Sequence, residues 1–563
     1  MPIQSINPAT SEVLRSFEPL TEEPLRAKIA LAYQAFHDYF EVPLEHRALC
    51  MRKLASLLEF EQEELAQLIT LEVGKTIVAS RAEIAKCADA CRYYAENAER
   101  ILAEEPIPAG PNNTYVRWEP LGVVLAVMPW NFPFWQVFRF LTPALMAGNV
   151  CLLKHAPNVP QCALTIEALV RRAGFSRGTF QTLLLESNQV EKVLADPRIA
   201  AVTLTGSEAA GRAVAAQAGW LIKKSVLELG GSDPFIVMPS APLDAVVEQA
   251  IRSRTVNNGQ SCIAAKRFIV HESLYEEFVE RFVAGMESLE VGDPARESTE
   301  IGPLATAERV ADLARQVESA KLAGAVVLTG GQRMLGQGNF YEPTVLTGVP
   351  RTAAVYREEL FGPVAMVFRA ASLDEAIQIA NDTPFGLGAS VWTGDPEEQR
   401  QLIAGLVCGQ VFVNTIVASD PRLPFGGVKK SGYGRELSAA GMREFLNAKT
   451  VVIADAVEHL TGRYKPAKNS IDDSQSRRDP TVPEPLEALS HAATKEPTYE
   501  PINLAELAED SIEDVPEDEA TVDPAPSLRR ESFSSGQFRD AFQAALSETP
   551  APDKADPERE PVS

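Results

Sequence analysis

A chain of 563 residues exceeds the roughly 250–300 residues over which a single hydrophobic core keeps growing, so at least two domains are expected. Hydrophobic residues at 45% and charged residues at 23% are ordinary for a globular protein, and no apolar run reaches the roughly 18 residues that a membrane span needs. The net charge of −24 argues against nucleic acid, whose phosphates demand a basic surface. The opening MPIQSINPAT lacks a basic region followed by an apolar stretch, so no secretory signal is read and a cytoplasmic location is expected. Seven cysteines, at 50, 87, 91, 151, 162, 262 and 408, are thinly spread and odd in number, as in a reducing compartment. Cys87 and Cys91 are four apart in a helical pattern with no second Cys/His pair nearby, so no metal site is expected.

In chain order, EPLRAKIALAYQAF predicts a helix, and NNTYVRWEP at 112–120 alternates like an exposed strand. Strand-like runs follow in GVVLAVMPW, NVCLLK, IAAVTLTG, PFIVM, KRFIVHE and GQVFVN, and TVVIA at 450–454 is a late apolar strand. Apolar strands alternating with helices predict an α/β protein with parallel sheets. From about residue 466 the composition turns to Pro, Ser, Ala and acidic residues, predicting a disordered tail over 466–563. Residues 470–563 hold 23 acidic and 8 basic side chains, so 15 of the 24 net negative charges fall there. Phe533, Phe538, Phe542 and Leu546 recur at near-helical spacing, so a short amphipathic helix over 533–547 is expected, with or without a protein partner.

Cys262, in NNGQSCIAAKRF, follows a polar turn and precedes a strand. Alone it would read as a structural cysteine, since a thiol becomes a good nucleophile only where its surroundings favour the thiolate. Three other segments change that reading. Glu228 in VLELGGSDPF ends an apolar strand and is followed by Gly230 and Gly231, which suits a general base. Asn131 in MPWNFP can donate its amide to an oxyanion, or serve as a turn residue. AVTLTGSEAAG turns from a strand through Gly206 and Ser207 into a helix, where backbone amides can receive a pyrophosphate. Its glycine spacing is not that of the usual dinucleotide fold.

Taken in order, PWNFP at 129–133, Lys154, TGS at 205–207, LELGG at 227–231, GQSC at 259–262, EELFGPV at 358–364 and PFGGVKKSGYGRE at 424–436 resemble the aldehyde dehydrogenase superfamily across residues 1–455. The resemblance implies a Rossmann-type cofactor domain (1–111 and 121–228), an α/β catalytic domain (229–435) and a small β oligomerisation element (112–120 and 436–465). It also implies that Cys262 attacks the aldehyde and that Asn131 and the Cys262 N–H hold the oxyanion. Glu228 then activates the water that hydrolyses the thioester. CoA-acylating relatives lack that glutamate, so Glu228 speaks against CoA release, while a scaffold role for the tail stays open.

For NAD or NADP, the resemblance implies contacts from Trp130, Lys154, His155, Pro157, Gly206, Ser207, Leu229, Glu359 and Phe361. NAD-preferring members often carry a glutamate three residues after the lysine, where it repels a 2′-phosphate. Here that position is Pro157, which tilts the expectation towards NADP. Arg139, eight residues after Asn131, is expected to share a helix face with Trp135 and Phe138 and to grip a carboxylate. The bland alternative is an arginine paired with an acid. The strings KHAPNV and SVLELGGSDPF, together with an arginine at this place, resemble succinate-semialdehyde dehydrogenases. Some of those carry a second arginine six residues before the nucleophile, where this chain has Val256. Asp420 would repel a carboxylate, so Ser419 is the expected pocket residue. The exposed strands predict a homodimer or homotetramer.

Overall fold

In the computed structural model, residues 2–108 and 113–453 are described. The expected tail at 466–563 and its helix at 533–547 lie outside the described residues. All six strand-like runs between 122 and 414 are strands, as Val123–Met128, Val150–His155, Ile199–Thr205, Pro234–Val237, Arg267–His271 and Gln410–Val413. The first predicted helix spans Glu22–Phe40.

The strands form two main sheets. The first runs in the order Gly432–Tyr433, Lys224–Glu228, Ile199–Thr205, Val123–Met128, Val150–His155 and Phe180–Thr182. All its pairings are parallel except that of Gly432–Tyr433, which adds an antiparallel edge from far along the chain. Val123–Met128 is the earliest strand and lies in the middle, with later strands laid down on each side. Its boundary with Ile199–Thr205 is therefore a topological switch point, where crevices open beyond the carboxyl ends of the strands. Those carboxyl ends carry Trp130, Asn131, Lys154, Gly206, Ser207 and Glu228.

The second sheet runs in the order Val326–Thr329, Thr344–Thr347, Val364–Ala370, Arg267–His271, Pro234–Val237, Gly388–Trp392 and Gln410–Val413. Only its first pair is antiparallel. A third, small sheet pairs Leu446–Ile453 with Asn113–Pro120 over eight residues in antiparallel register. The two exposed strands expected from sequence thus lie side by side.

The helix Trp135–Ala147 is buried on every face, which removes the amphipathic pattern that the sequence reading relied on. Its amino end is held by Glu83, whose Oε1 accepts the N–H groups of Phe134 and Trp135, both at 2.9 Å. Glu83 also pairs with the fully buried Lys75, whose Nζ lies 3.8 Å from the centre of the Phe132 ring. A buried carboxylate shared between two amides and an ammonium satisfies both the helix terminus and the two charges. Among the described residues no helix is long and apolar enough to cross a membrane, and no group of three or more His, Cys, Asp or Glu could hold a metal ion.

Candidate active site

Cys262 sits just beyond a tight turn, Val256–Gly259, in which Asn257, Asn258 and Gly259 all have left-handed backbones, with φ of 55°, 57° and 74°. Non-glycine residues in that region carry strain that surrounding contacts must offset. The asparagine side chains supply those contacts. Asn258 Nδ2 donates to the carbonyls of Gly74 and Pro303, and its Oδ1 accepts from Gly302 N–H. Asn257 Nδ2 donates to the carbonyls of Asn131 and Gln260. A Cβ on Gly259 would lie 2.4 Å from the backbone of Gly362, so no side chain fits there.

After the turn, the fully buried Lys266 Nζ donates to the carbonyls of Ser261 (2.6 Å) and Cys262 (2.7 Å). It also pairs with Glu359 at 3.2 Å, and Glu359 Oε1 accepts the Gly231 N–H. One lysine therefore ties the nucleophile loop, the LELGG segment and the EELFGP segment together. Burial pushes the Cys262 thiol up to about 12, against the pull of Lys266 and Arg139 towards the thiolate. Asn131 Nδ2 donates to Gln260 O at 3.1 Å, two residues from Cys262. A primary amide has two hydrogens, so one remains for another acceptor.

Glu228 is only 2% exposed, and neither carboxylate oxygen has a hydrogen-bond partner among the described residues. Burial and the nearby Glu436 carboxyl hold it well above the usual carboxylate range, while Arg139 pulls it down. Such a carboxyl is a stronger base than an exposed one.

Cys262 lines a cavity of about 650 Å³ together with Lys86, Trp135, Arg139, Ser419 and Phe425 among others. Within it the sequence reading needs two corrections. Phe138 is fully buried and stacks on Phe134 at 6.3 Å in the core, so it is no cavity residue. Arg139 reaches the cavity, but its guanidinium pairs with the buried Glu436, stands over the Phe425 ring and donates to Thr205 Oγ1 at 3.4 Å. It is not the free carboxylate clamp that was expected, because an internal acid already occupies it. Trp135 Nε1 donates to Ser419 Oγ at 3.0 Å, and Asp420 turns away to Arg422.

On the other side of the nucleophile loop, Trp130 meets Phe361 edge to face with ring centres 5.7 Å apart. Lys154 is 5% exposed and has neither an ion pair nor a hydrogen bond among the described residues, and burial lowers it to about 8. Ser207 caps the helix Glu208–Trp220 by accepting from Ala210 N–H. Gly211 lets that helix pack onto Leu229, whose methyl carbons would lie 2.7 and 2.8 Å from a Cβ at 211. Pro157 is exposed beyond the strand that carries Lys154. His155 is a third correction. Its Nε2 lies 2.9 Å from Pro133 O, a pure acceptor, so that nitrogen carries the proton, and Nδ1 accepts from Ala156 N–H. Both ring nitrogens are spent on backbone, leaving none for a ligand.

The sequence matches the model of the aldehyde dehydrogenase family over residues 1–451. The chain belongs to that family. It is 58% identical over 457 residues to an NADP(+) succinate-semialdehyde dehydrogenase of Mycobacterium tuberculosis, covering 81% of this chain and 100% of that one. The NADP(+) succinate-semialdehyde dehydrogenase of Mycobacterium leprae is 56% identical over 457 residues, with the same coverage. Among solved structures, the succinic semialdehyde dehydrogenase of Streptococcus pyogenes with NADP+ as the cofactor aligns at a TM-score of 0.79 and 36% identity, covering 80% of this chain and 100% of that one. This aldehyde dehydrogenase is an NAD(P)-dependent oxidoreductase that converts an aldehyde to an acid.

Sequence reasoning missed three groups in this enzyme. Lys86 lies on a segment with no motif that names it, Glu436 closes the PFGGVKKSGYGRE string without a role read for it, and Lys266 follows the nucleophile by four residues. The charge of each was visible, but its target was not.

Proposed function

We propose that this enzyme oxidises succinate semialdehyde to succinate through a thioester on Cys262, with NADP as its preferred cofactor. The observation that carries the reading is a thiol on the wall of a cavity that also presents three cationic side chains, Lys86, Arg139 and Arg252. The names of the relatives above agree with it.

A dinucleotide suits the residues at the switch point. Lys154 is a buried cation lacking any acceptor among the described residues, and the Glu208–Trp220 helix offers its amino end there. In this reading Lys154 meets the adenosine ribose or its 2′-phosphate, with no carboxylate at Pro157 to repel the phosphate. Gly206 and Ser207 open towards the pyrophosphate, and Trp130, Leu229, Glu359 and Phe361 border the nicotinamide end. When bound, the nicotinamide supplies the hydride acceptor.

The chain's own groups do the rest. Cys262 Sγ, having given its proton to Glu228, bonds to the aldehyde carbon. The free hydrogen of Asn131 Nδ2 and the Cys262 N–H, neither with a partner among the described residues, hold the resulting oxyanion. Once the thioester has formed and Glu228 has released the thiol's proton to solvent, Glu228 takes a proton from water as the water oxygen attacks the acyl carbon, and returns it to the departing thiolate. The C–S bond breaks, the acid leaves and the thiol is restored. Arg139 stays on Glu436 and acts as a positioning residue, favouring the anions of Cys262 and Glu228.

The segments 1–111 and 121–228 then form the dinucleotide-binding domain, 229–435 the catalytic domain, and 112–120 with 436–465 the subunit-association element. Val452 and Ile453, 57% and 52% exposed on an open sheet edge, support a homodimer or homotetramer. A cytoplasmic location is part of the same reading; among the described residues no helix is long and apolar enough to cross a membrane. The acidic tail at 466–563 suits a protein partner, which deletion would expose as a change of assembly with activity retained.

A steady-state panel tests the central reading. Wild-type enzyme is compared on succinate semialdehyde and on uncharged aldehydes of similar length, with NAD and with NADP. A kcat/KM no higher for the carboxylated aldehyde would remove the substrate assignment.

A further inference from the structure

The carbonyl groups around the nucleophile face buried cations. Arg254, fully buried, donates to the carbonyls of Gly259 at 2.6 Å and Ala265 at 2.8 Å. Between them, the carbonyls of Ser261 and Cys262 both accept from Lys266 Nζ. Glu359, at 3.2 Å, takes the third hydrogen of that ammonium. Two carbonyls and a carboxylate are all acceptors, which fits the three hydrogens of an ammonium and not the two of a neutral amine. Burial lowers the pKa of Lys266, and the Glu359 carboxylate opposes that shift.

Ser261 O also accepts from Ala264 N–H at 3.2 Å, closing a turn over residues 261–264. The peptides inside it are trans, so each carbonyl runs antiparallel to the N–H of the next residue. With the Ser261 and Cys262 carbonyls drawn to Lys266, the N–H groups of Cys262 and Ile263 are turned the opposite way. Neither has a partner among the described residues, and both residues line the cavity. A cation on the carbonyl side of a peptide also polarises it, which makes its N–H a stronger donor.

We propose that Lys266 is a positioning residue for the oxyanion: by holding the two carbonyls behind the nucleophile, it aims and strengthens the Cys262 N–H that receives the negative charge. This assignment rests on Cys262 being the nucleophile, as proposed above. It gives a role to a fully buried charge that is not part of the cavity lining. The same charge favours the Cys262 thiolate, so a test has to separate the two effects.

Two reagents separate them, used on the full chain without dinucleotide. Iodoacetamide reacts when Sγ bonds its methylene carbon and iodide leaves, so no oxyanion forms. p-Nitrophenyl acetate reacts when Sγ bonds the acyl carbon, the carbonyl oxygen takes up the charge, and p-nitrophenolate then leaves. Both rates scale with the thiolate fraction, so the ratio of acylation to alkylation at residue 262 reads the oxyanion alone.

In Lys266→Met that ratio should fall about 10–100-fold, somewhat less than the loss of a whole oxyanion donor costs. Lys266→Arg, which keeps the charge, should regain most of it, and Lys266→Gln, a neutral donor, should lie between. In aldehyde turnover the loss should fall on kcat with little change in KM, as for an interaction made only in the transition state. A wild-type ratio in Lys266→Met overturns the proposal. So does a ratio that follows the urea midpoint across the three variants instead of the charge at 266. Should Lys266→Met fail to fold, Lys266→Gln carries the test, and an unchanged ratio there overturns the proposal equally. Wild-type enzyme that neither reagent modifies at residue 262 is a different failure, since it removes the nucleophile itself.

Discussion

The guanidinium of Arg139 is paired with the carboxylate of Glu436, both almost completely buried, within electrostatic reach of Glu228. A cation among buried acids is worth most when it is removed, because the acids left behind have no water to solvate them. Arg139→Met should therefore cost about 3–5 kcal/mol of stability, read as a lower urea midpoint at fixed protein concentration. The kcat should fall on every aldehyde tested, with the carboxylate preference retained. A selective loss on succinate semialdehyde would return Arg139 to the substrate site. Arg139→Lys should recover part of both stability and kcat, as expected of a charge that positions rather than binds.

The fold was legible because the six strands read from the sequence are built on short apolar runs between turns, and such runs stay readable when a sheet is covered on both faces. Cys262, Asn131 and Glu228 could be named because each stands in a string whose order along the chain is informative. The pairings were not legible. Lys86 and Ser419 are 333 residues apart, and nothing local in either segment points to the other. Phe138 misled for a related reason: the helix Trp135–Ala147 is buried all round, so periodicity could not say which face met the cavity. His155 looked available because its two backbone partners, Pro133 O and Ala156 N–H, leave no mark in a sequence.

The resting thiol of Cys262, raised to about 12 by burial, should be alkylated slowly at neutral pH. Below its pKa the thiolate fraction rises about tenfold per pH unit, and the thiolate is the reacting form. Iodoacetamide labelling of the free enzyme, followed by peptide mapping at several pH values from neutral to alkaline, should show that slope at residue 262. Arg139→Met should label more slowly at each pH, since it removes a charge that favours the thiolate. Fast, pH-independent labelling of Cys262 would show that the thiolate is already formed at rest.

Cofactor choice is set in the proposed reading by what stands at 154 and 157. Pro157→Glu places a carboxylate where a 2′-phosphate would lie, at an exposed position that tolerates the change. The ratio of kcat/KM with NADP to that with NAD should fall by about 10–100-fold, in keeping with about 1.4–3 kcal/mol for a like-charge contact. Lys154→Met should weaken NADP binding more than NAD binding, measured as Kd by fluorescence titration without aldehyde. Equal weakening of both would place Lys154 on the ribose hydroxyls alone.

His155 gives stability a pH dependence whose sign follows from its burial. Its folded pKa is lowered from 6.5 to about 4, mainly by desolvation, while the unfolded chain keeps the ordinary value. Protons therefore bind the unfolded chain more strongly between those two values. The stabilising contribution is complete above about 6.5 and is lost as pH falls towards 4, about 3 kcal/mol in all. Asp233, raised from 3.8 to about 7, acts in the opposite sense over an overlapping range, so wild type alone would blur the effect. Comparison with His155→Gln isolates it, because glutamine does not titrate and can donate to Pro133 O and accept from Ala156 N–H. Between pH 7 and pH 5, urea unfolding should show wild type losing about 2 kcal/mol more than the variant. Parallel stability curves for the two proteins would mean that His155 is protonated, or solvated, within the folded enzyme.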